Sequence, residues 1–190
     1  LTKTAAAFAF WAPKMFQDYK DHLEPLFEKT PGLKINFANS IFPTATFNLG
    51  PRTVSLDHLD SANVAAGFCP IFCAGSFDSK KGGHLILYDL KKIIEFPPGA
   101  TILVPSSTMR HGNTPIQPGE ERMSFTQCCA GGLIRWVKYG YRSGITLQET
   151  AAGRAFKAKV DGNPDIRWKE AIAKFSKLSE VQADRQAVFS

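Results

Sequence analysis

His58-Leu59-Asp60, joined later in the chain by His111, offers two imidazoles and one carboxylate. Gathered on one face of a metal ion, that set leaves coordination positions open and is the ligand type of non-haem Fe(II) centres that activate oxygen. Arg122-Met123-Ser124 follows the second histidine. A guanidinium fork beside a hydroxyl is suited to the carboxylate of an acidic cosubstrate. The competing readings are a surface turn that happens to contain His58, and a surface salt bridge from Arg122 to Glu120 or Glu121.

Strands must position these residues. Side chains two apart on a strand share a face, so a strand over Thr53–Asp57 running on toward Asp60 projects His58 and Asp60 together and turns Leu59 away. The same parity pairs Arg122 with Ser124. His111 follows Thr101–Val104 and the turn Pro105-Ser106-Ser107 and reaches the same point from a neighbouring strand. Further strands are expected at Thr44–Asn48, Ala66–Cys73, His84–Leu87, Ile93–Phe96 and Arg122–Cys128, punctuated by Ser79-Lys80-Lys81-Gly82-Gly83 and Phe96-Pro97-Pro98-Gly99-Ala100. Short strands at this spacing suggest a sandwich or jelly roll.

Helices flank them. Trp11, Met15, Tyr19, Leu23, Leu26 and Phe27 recur at helical steps between Trp11 and Glu28, with Pro25 a possible kink and Thr30-Pro31-Gly32 a stop. Thr146–Ala158 and Ile166–Phe189 read as helices that support the sheet from outside. The fold class expected is mainly β with flanking helices, around a double-stranded β-helix (jelly-roll or cupin-like) core. One domain over 1–190 is expected, with N-terminal helical support to about residue 40, the core at 41–143, and a C-terminal helical extension at 144–190.

With 190 residues and 44% hydrophobic content the chain can bury one sizeable core. No apolar run is long enough to span a bilayer, so no membrane partner is expected. Cys69, Cys73, Cys128 and Cys129 lack zinc spacing and read as reduced thiols, which favours an intracellular setting, nuclear or cytoplasmic. The net charge of +6 leans toward anionic partners.

Other residues carry open alternatives. Asn48, ahead of Gly50-Pro51, either donates to the cosubstrate or stabilises a turn. His84 is a fourth ligand, a substrate contact or a packed residue; His22 faces solvent on its helix. Phe68, Tyr88 and Trp136 are stacking surfaces or core, with core the default for aromatics in β domains. Lys80, Lys81, Lys91 and Lys92 touch phosphates or protect a sheet edge. Arg135 and Arg142 compete with Arg122 but lie beyond Gly131-Gly132.

The order His58-Leu59-Asp60, His111, Arg122 resembles the Fe(II)/2-oxoglutarate dioxygenases from about Phe42 to Tyr141. Gly-Gly-His-Leu-Ile-Leu-Tyr-Asp-Leu (82–90), Phe-Pro-Pro-Gly-Ala-Thr-Ile-Leu-Val-Pro-Ser (96–106), Arg-His-Gly-Asn-Thr-Pro-Ile (110–116) and Arg-Met-Ser-Phe-Thr-Gln (122–127) are similar to a fungal, basidiomycete branch grouped with the TET/JBP oxygenases. The resemblance implies an oxidoreductase with Fe(II) on His58, Asp60 and His111, and 2-oxoglutarate on Arg122 and Ser124, with O2 as oxidant; Asn48 is the further candidate for 2-oxoglutarate from its own position. It further implies hydroxylation of the methyl group of a modified base in DNA or RNA, as in nucleic-acid demethylation. A hydroxylase of a small metabolite or amino acid, and a non-catalytic cupin-like binding module, are the alternatives.

Overall fold

The computed structural model describes residues 2–189. Two helices open the chain: α1 (Lys3–Trp11), capped by the Thr2 hydroxyl on the Ala5 amide, and α2 (Pro13–Lys29). Pro13 lacks an N–H and so separates them, ending one helix and occupying the first turn of the next. The helix expected from Trp11 to Glu28 therefore starts after Trp11, which is 65% exposed. Met15, Phe16, Tyr19, Leu23 and Leu26 form the buried stripe of α2.

Seven strands follow: β1 (Thr44–Asn48), β2 (Cys69–Ser76), β3 (Leu85–Leu87), β4 (Lys92–Ile94), β5 (Thr101–Val104), β6 (His111–Asn113) and β7 (Glu121–Cys128). They form two antiparallel sheets, one in the order β1-β7-β2-β5 and the other β4-β3-β6. The chain then closes with α3 (Gly131–Lys138), α4 (Gly144–Gln148), α5 (Ala151–Asp161), α6 (Pro164–Ala173) and α7 (Val181–Phe189). Among the described residues helix outweighs strand, so the molecule is not mainly β. The strands are short, and irregular segments, above all residues 49–68, carry much of the chain between them.

Two cores lie on opposite sides of the larger sheet. Phe8, Met15, Tyr19 and Phe42 pack with Cys129 and Ile134 where α1, α2 and α3 cover it. Ile71 and Cys73 of β2 and Val104 of β5 pack with Leu85 and Leu87 of β3 and with Phe96, which joins the two sheets. Alternation along β7 serves both surfaces: Arg122, Ser124, Thr126 and Cys128 line a cavity, while the intervening Phe125 stacks against Phe37 and Phe47. Opposite Arg122 stands Gly75, with φ +125, where an added Cβ would lie 2.1 Å from the Glu121 carbonyl oxygen. Only glycine fits that close approach.

Some expected elements moved. Thr53–Asp57 is not a strand; single bridges join Arg52 to Arg122 and His58 to His111, and side-chain hydrogen bonds satisfy much of the backbone between them. The strand expected at Ala66–Cys73 begins at Cys69 and runs on to Ser76, and that expected at Ile93–Phe96 ends at Ile94. Ile166–Phe189 is two helices rather than one. No helix among the described residues is long and apolar enough to cross a membrane.

Candidate metal and anion site

His58 and His111 exchange backbone hydrogen bonds, each N–H donating to the other's carbonyl at 3.1 Å. This single bridge brings together two segments distant in sequence and sets the imidazole centroids 4.3 Å apart. Gly112 makes the approach possible, since a Cβ there would stand 2.7 Å from the Ser55 carbonyl oxygen. Arg110 and Asp57, the residues preceding the two histidines, add a forked ion pair across the bridge, and the Arg110 amide donates to Asp89.

Asp60 completes the group through a turn rather than a strand. Its amide donates to the Ser106 carbonyl at 2.9 Å, and its Oδ1 lies 3.7 Å from His58 Nε2. One ligand atom from each of His58, Asp60 and His111 falls within 4.8 Å of the others. The expected pairing of His58 with Asp60 thus holds, although strand parity is not its cause.

Both imidazoles are held through Nδ1 by backbone carbonyls. His58 Nδ1 lies 2.7 Å from the Leu56 carbonyl and His111 Nδ1 3.0 Å from the Met109 carbonyl. A carbonyl only accepts, so each Nδ1 carries a proton, and in the neutral imidazole that leaves the Nε2 lone pair for a metal. His111 is buried while His58 and Asp60 reach solvent, so the group opens on one side. Two nitrogens and a carboxylate oxygen suit a divalent first-row metal, and the donors fit Fe(II).

The same cavity, about 480 Å³, is lined from the larger sheet by Asn48, Arg122, Ser124 and Thr126 and from the smaller by Leu85 and Asn113. Arg122 is 3% exposed. Its Nη1 donates to the Thr53 hydroxyl at 3.3 Å and the Thr53 carbonyl at 3.5 Å, its Nε has no partner, and no carboxylate pairs with it among the described residues. Burial pulls the guanidinium below its ordinary range, against the neighbouring Cys73 thiol, which raises it. Arginine remains charged even so, and a buried cation without a counter-ion is costly. Ser124 stands opposite Asn48 in the β1–β7 register and accepts from Asn48 Nδ2 at 3.0 Å, which leaves the serine proton free to be donated.

Other candidates lie elsewhere. His84 bonds Thr114, and His22 bonds the Asp18 carbonyl one helical turn back. Phe68 packs against Phe175, while Tyr88 and Trp136 are partly exposed; none of the three lines the cavity. Arg135 lies on α3 and Arg142 stacks on Phe156, both outside the cavity lining. Lys81 pairs with Asp78. Asn113 also lines the cavity, two residues from His111 on β6 and so of the same strand parity, which is its signal in the sequence.

No protein-family model matches the chain, and no curated protein does. Among solved structures it is similar over 57% of its length to NgTET1 in complex with 5mC DNA, at 18% identity and a TM-score of 0.47, and spans 41% of that chain. It is similar over 47% to the viral collagen prolyl hydroxylase of Paramecium Bursaria Chlorella virus-1 in a 2OG complex, at 15% identity and a TM-score of 0.32, covering 62% of it. An RmlC-like cupin protein from Desulfovibrio desulfuricans matches 50% of the chain and is itself 94% covered, at 15% identity and a TM-score of 0.29.

Proposed function

We propose that the chain is a single dioxygenase domain, built on a double-stranded β-helix type of frame, that uses Fe(II), 2-oxoglutarate and O2 to hydroxylate a C–H bond. The observation that carries this reading is a buried Arg122 with no carboxylate partner among the described residues, in the same cavity as the His58-Asp60-His111 group. A structural arginine at that depth would have a carboxylate partner; this one leaves its charge facing a cavity, as a carboxylate-binding group must.

Fe(II) would be held by His58 Nε2, Asp60 and His111 Nε2, and bound there it would supply oxygen activation driven by oxidative decarboxylation of 2-oxoglutarate. The protein's own contribution is binding and orientation. Arg122 receives the distal carboxylate of the dianion, Ser124 donates its hydroxyl proton to the same group, and Asn48 fixes the serine. The Leu56 and Met109 carbonyls hold both imidazoles in one tautomer and keep them from rotating away. One carboxylate against a divalent ion leaves net positive charge for the incoming dianion.

The substrate reading is the methyl group of a modified base in DNA or RNA, as the sequence resemblance implies, which requires the base to leave its stack. Asn48 and Asn63 line the cavity, and their side-chain carbonyls offer acceptors for such a base. The second reading, a small metabolite or amino acid, is favoured by the lack of any Phe, Tyr or Trp in the cavity lining. Without oxygen, Fe(II) and 2-oxoglutarate should produce a visible charge-transfer band that His111→Ala removes. Absence of the band in the unmutated protein overturns the oxygenase reading. Succinate release with methylated oligonucleotides, nucleosides and amino acids separates the substrates, and no stimulation by nucleic acid would exclude the first.

A further inference from the structure

Residues 53–57 run beside the cavity without a strand ladder, between the bridges at Arg52 and His58, and Arg122 bonds to Thr53 at their start. Such a segment needs partners for its backbone, or it would drift and carry His58 with it. Asn113, only 7% exposed, supplies them. Its Oδ1 accepts from the Ser55 amide at 2.8 Å, its Nδ2 donates to the Thr53 carbonyl at 3.2 Å and to the Thr114 carbonyl at 2.9 Å, and its own amide donates to the Ser55 carbonyl at 2.9 Å.

Thr53 is itself tied to Arg122 twice over. Its amide and hydroxyl donate to the Arg122 carbonyl at 3.3 and 3.0 Å, and its carbonyl and hydroxyl lie within reach of the Arg122 guanidinium. A continuous belt therefore runs from Arg122 through Thr53, Asn113 and Ser55 to His58, and Asn113 is two residues from His111 on the same short strand. The side chain joins Thr53, which holds Arg122, to Ser55, three residues before His58.

From this we infer that Asn113 is a positioning residue: its amide fixes the 53–58 segment and so sets the distance between the anion-binding Arg122 and the metal group. The inference rests on the cosubstrate reading above for its functional half, while the structural half stands on the hydrogen bonds alone. Only an amide serves. A carboxylate keeps the acceptor for Ser55 but loses the donor for Thr53 and brings a negative charge toward Arg122; leucine has similar size and offers neither.

The test compares the unmutated protein with Asn113→Asp and Asn113→Leu, using Co(II) absorption for the metal group, 2-oxoglutarate titration of the metal-loaded protein, and amide hydrogen exchange at Ser55. Asn113→Asp should leave Ser55 exchange slow and Co(II) affinity within about threefold, while weakening 2-oxoglutarate about tenfold or more, the scale of groups that orient ligands. Asn113→Leu should speed Ser55 exchange and weaken metal and 2-oxoglutarate together. A residue with only a general structural role would lower the melting temperature of both variants without this split.

Unchanged 2-oxoglutarate affinity in Asn113→Asp, or unchanged Ser55 exchange in Asn113→Leu, overturns the inference. If the unmutated protein binds Co(II) but not 2-oxoglutarate, the cosubstrate reading falls, and Ser55 exchange together with Co(II) affinity in the leucine variant still decides whether Asn113 holds the segment.

Discussion

Replacing Arg122 with methionine should make the ligand-free protein more stable and blind to 2-oxoglutarate. Arg122 is 3% exposed, and its two contacts to Thr53, at 3.3 and 3.5 Å, lie at the long limit of hydrogen bonding. Together they contribute about 1 kcal/mol, while the partnerless Nε costs about 1–3 kcal/mol as an unsatisfied buried donor. Methionine has a similar unbranched stem and no charge to desolvate, and exchanging buried charge for apolar volume is neutral to stabilising by about 1–4 kcal/mol in measured cases. The net expectation is a gain of about 1–2 kcal/mol, or about 2–8 °C in Tm for a chain of this size. Thermal and urea unfolding of metal-loaded protein, with and without 2-oxoglutarate, measure both halves. At a hundredfold excess over its Kd the ligand should add about 2.7 kcal/mol to the unmutated protein and nothing to the variant. A ligand-free variant that is less stable than the unmutated protein, or one that 2-oxoglutarate still stabilises, would refute the account of Arg122 as a charge awaiting an anion.

Gly112→Ala should push a methyl group into the Ser55 and Leu56 carbonyls, 2.7 and 3.1 Å from the ideal Cβ, with a cost of about 1–3 kcal/mol and weakened Co(II) binding, read by unfolding and visible absorption. Arg110→Ala removes the fork to Asp57; because that pair is partly exposed, stability should fall by no more than about 1 kcal/mol, and the difference should shrink when salt is raised. Asp161 is held below the usual carboxylate range by Lys157 and then by the Tyr139 hydroxyl. Its folded pKa thus lies below the unfolded one, so its contribution is present at neutral pH and lost as pH falls through the folded value. Asp161→Asn should therefore cost up to about 1 kcal/mol at pH 7, with the gap to the unmutated protein closing in acid.

The chemistry was more legible than the backbone that presents it. His58, Asp60, His111, Arg122, Ser124 and Asn48 do converge on one cavity, and Thr44–Asn48 and Thr101–Val104 form strands over those residues. The segment Thr53–Asp57 misled because its alternation of Thr, Val, Ser and Leu suits a strand, whereas its neighbours are the Asn113 side chain and two isolated bridges. Tertiary partners, invisible in local sequence, decided it. α1 escaped notice because Ala5, Phe8 and Ala9 vanish into the core while Phe10 and Trp11 stay outside, so apolar residues circle the helix without a polar face to mark the period. α3 begins with Gly131-Gly132, which reads as a break; the Gly131 amide instead donates to the Ala62 carbonyl and anchors the helix start beside the Asp60 turn.

The reciprocal backbone bonds between His58 and His111 also bear on how the molecule comes apart. They close a loop that contains β2, β3, β4 and β5, so the ligand group assembles only through a long-range closure, which is expected to come late in folding. Strengthening contacts that form after the folding transition state slows unfolding without hastening folding. An ion on these side chains would therefore act as a kinetic lock, prolonging the lifetime of the folded chain against proteolysis under conditions where opening, rather than cleavage, limits the rate.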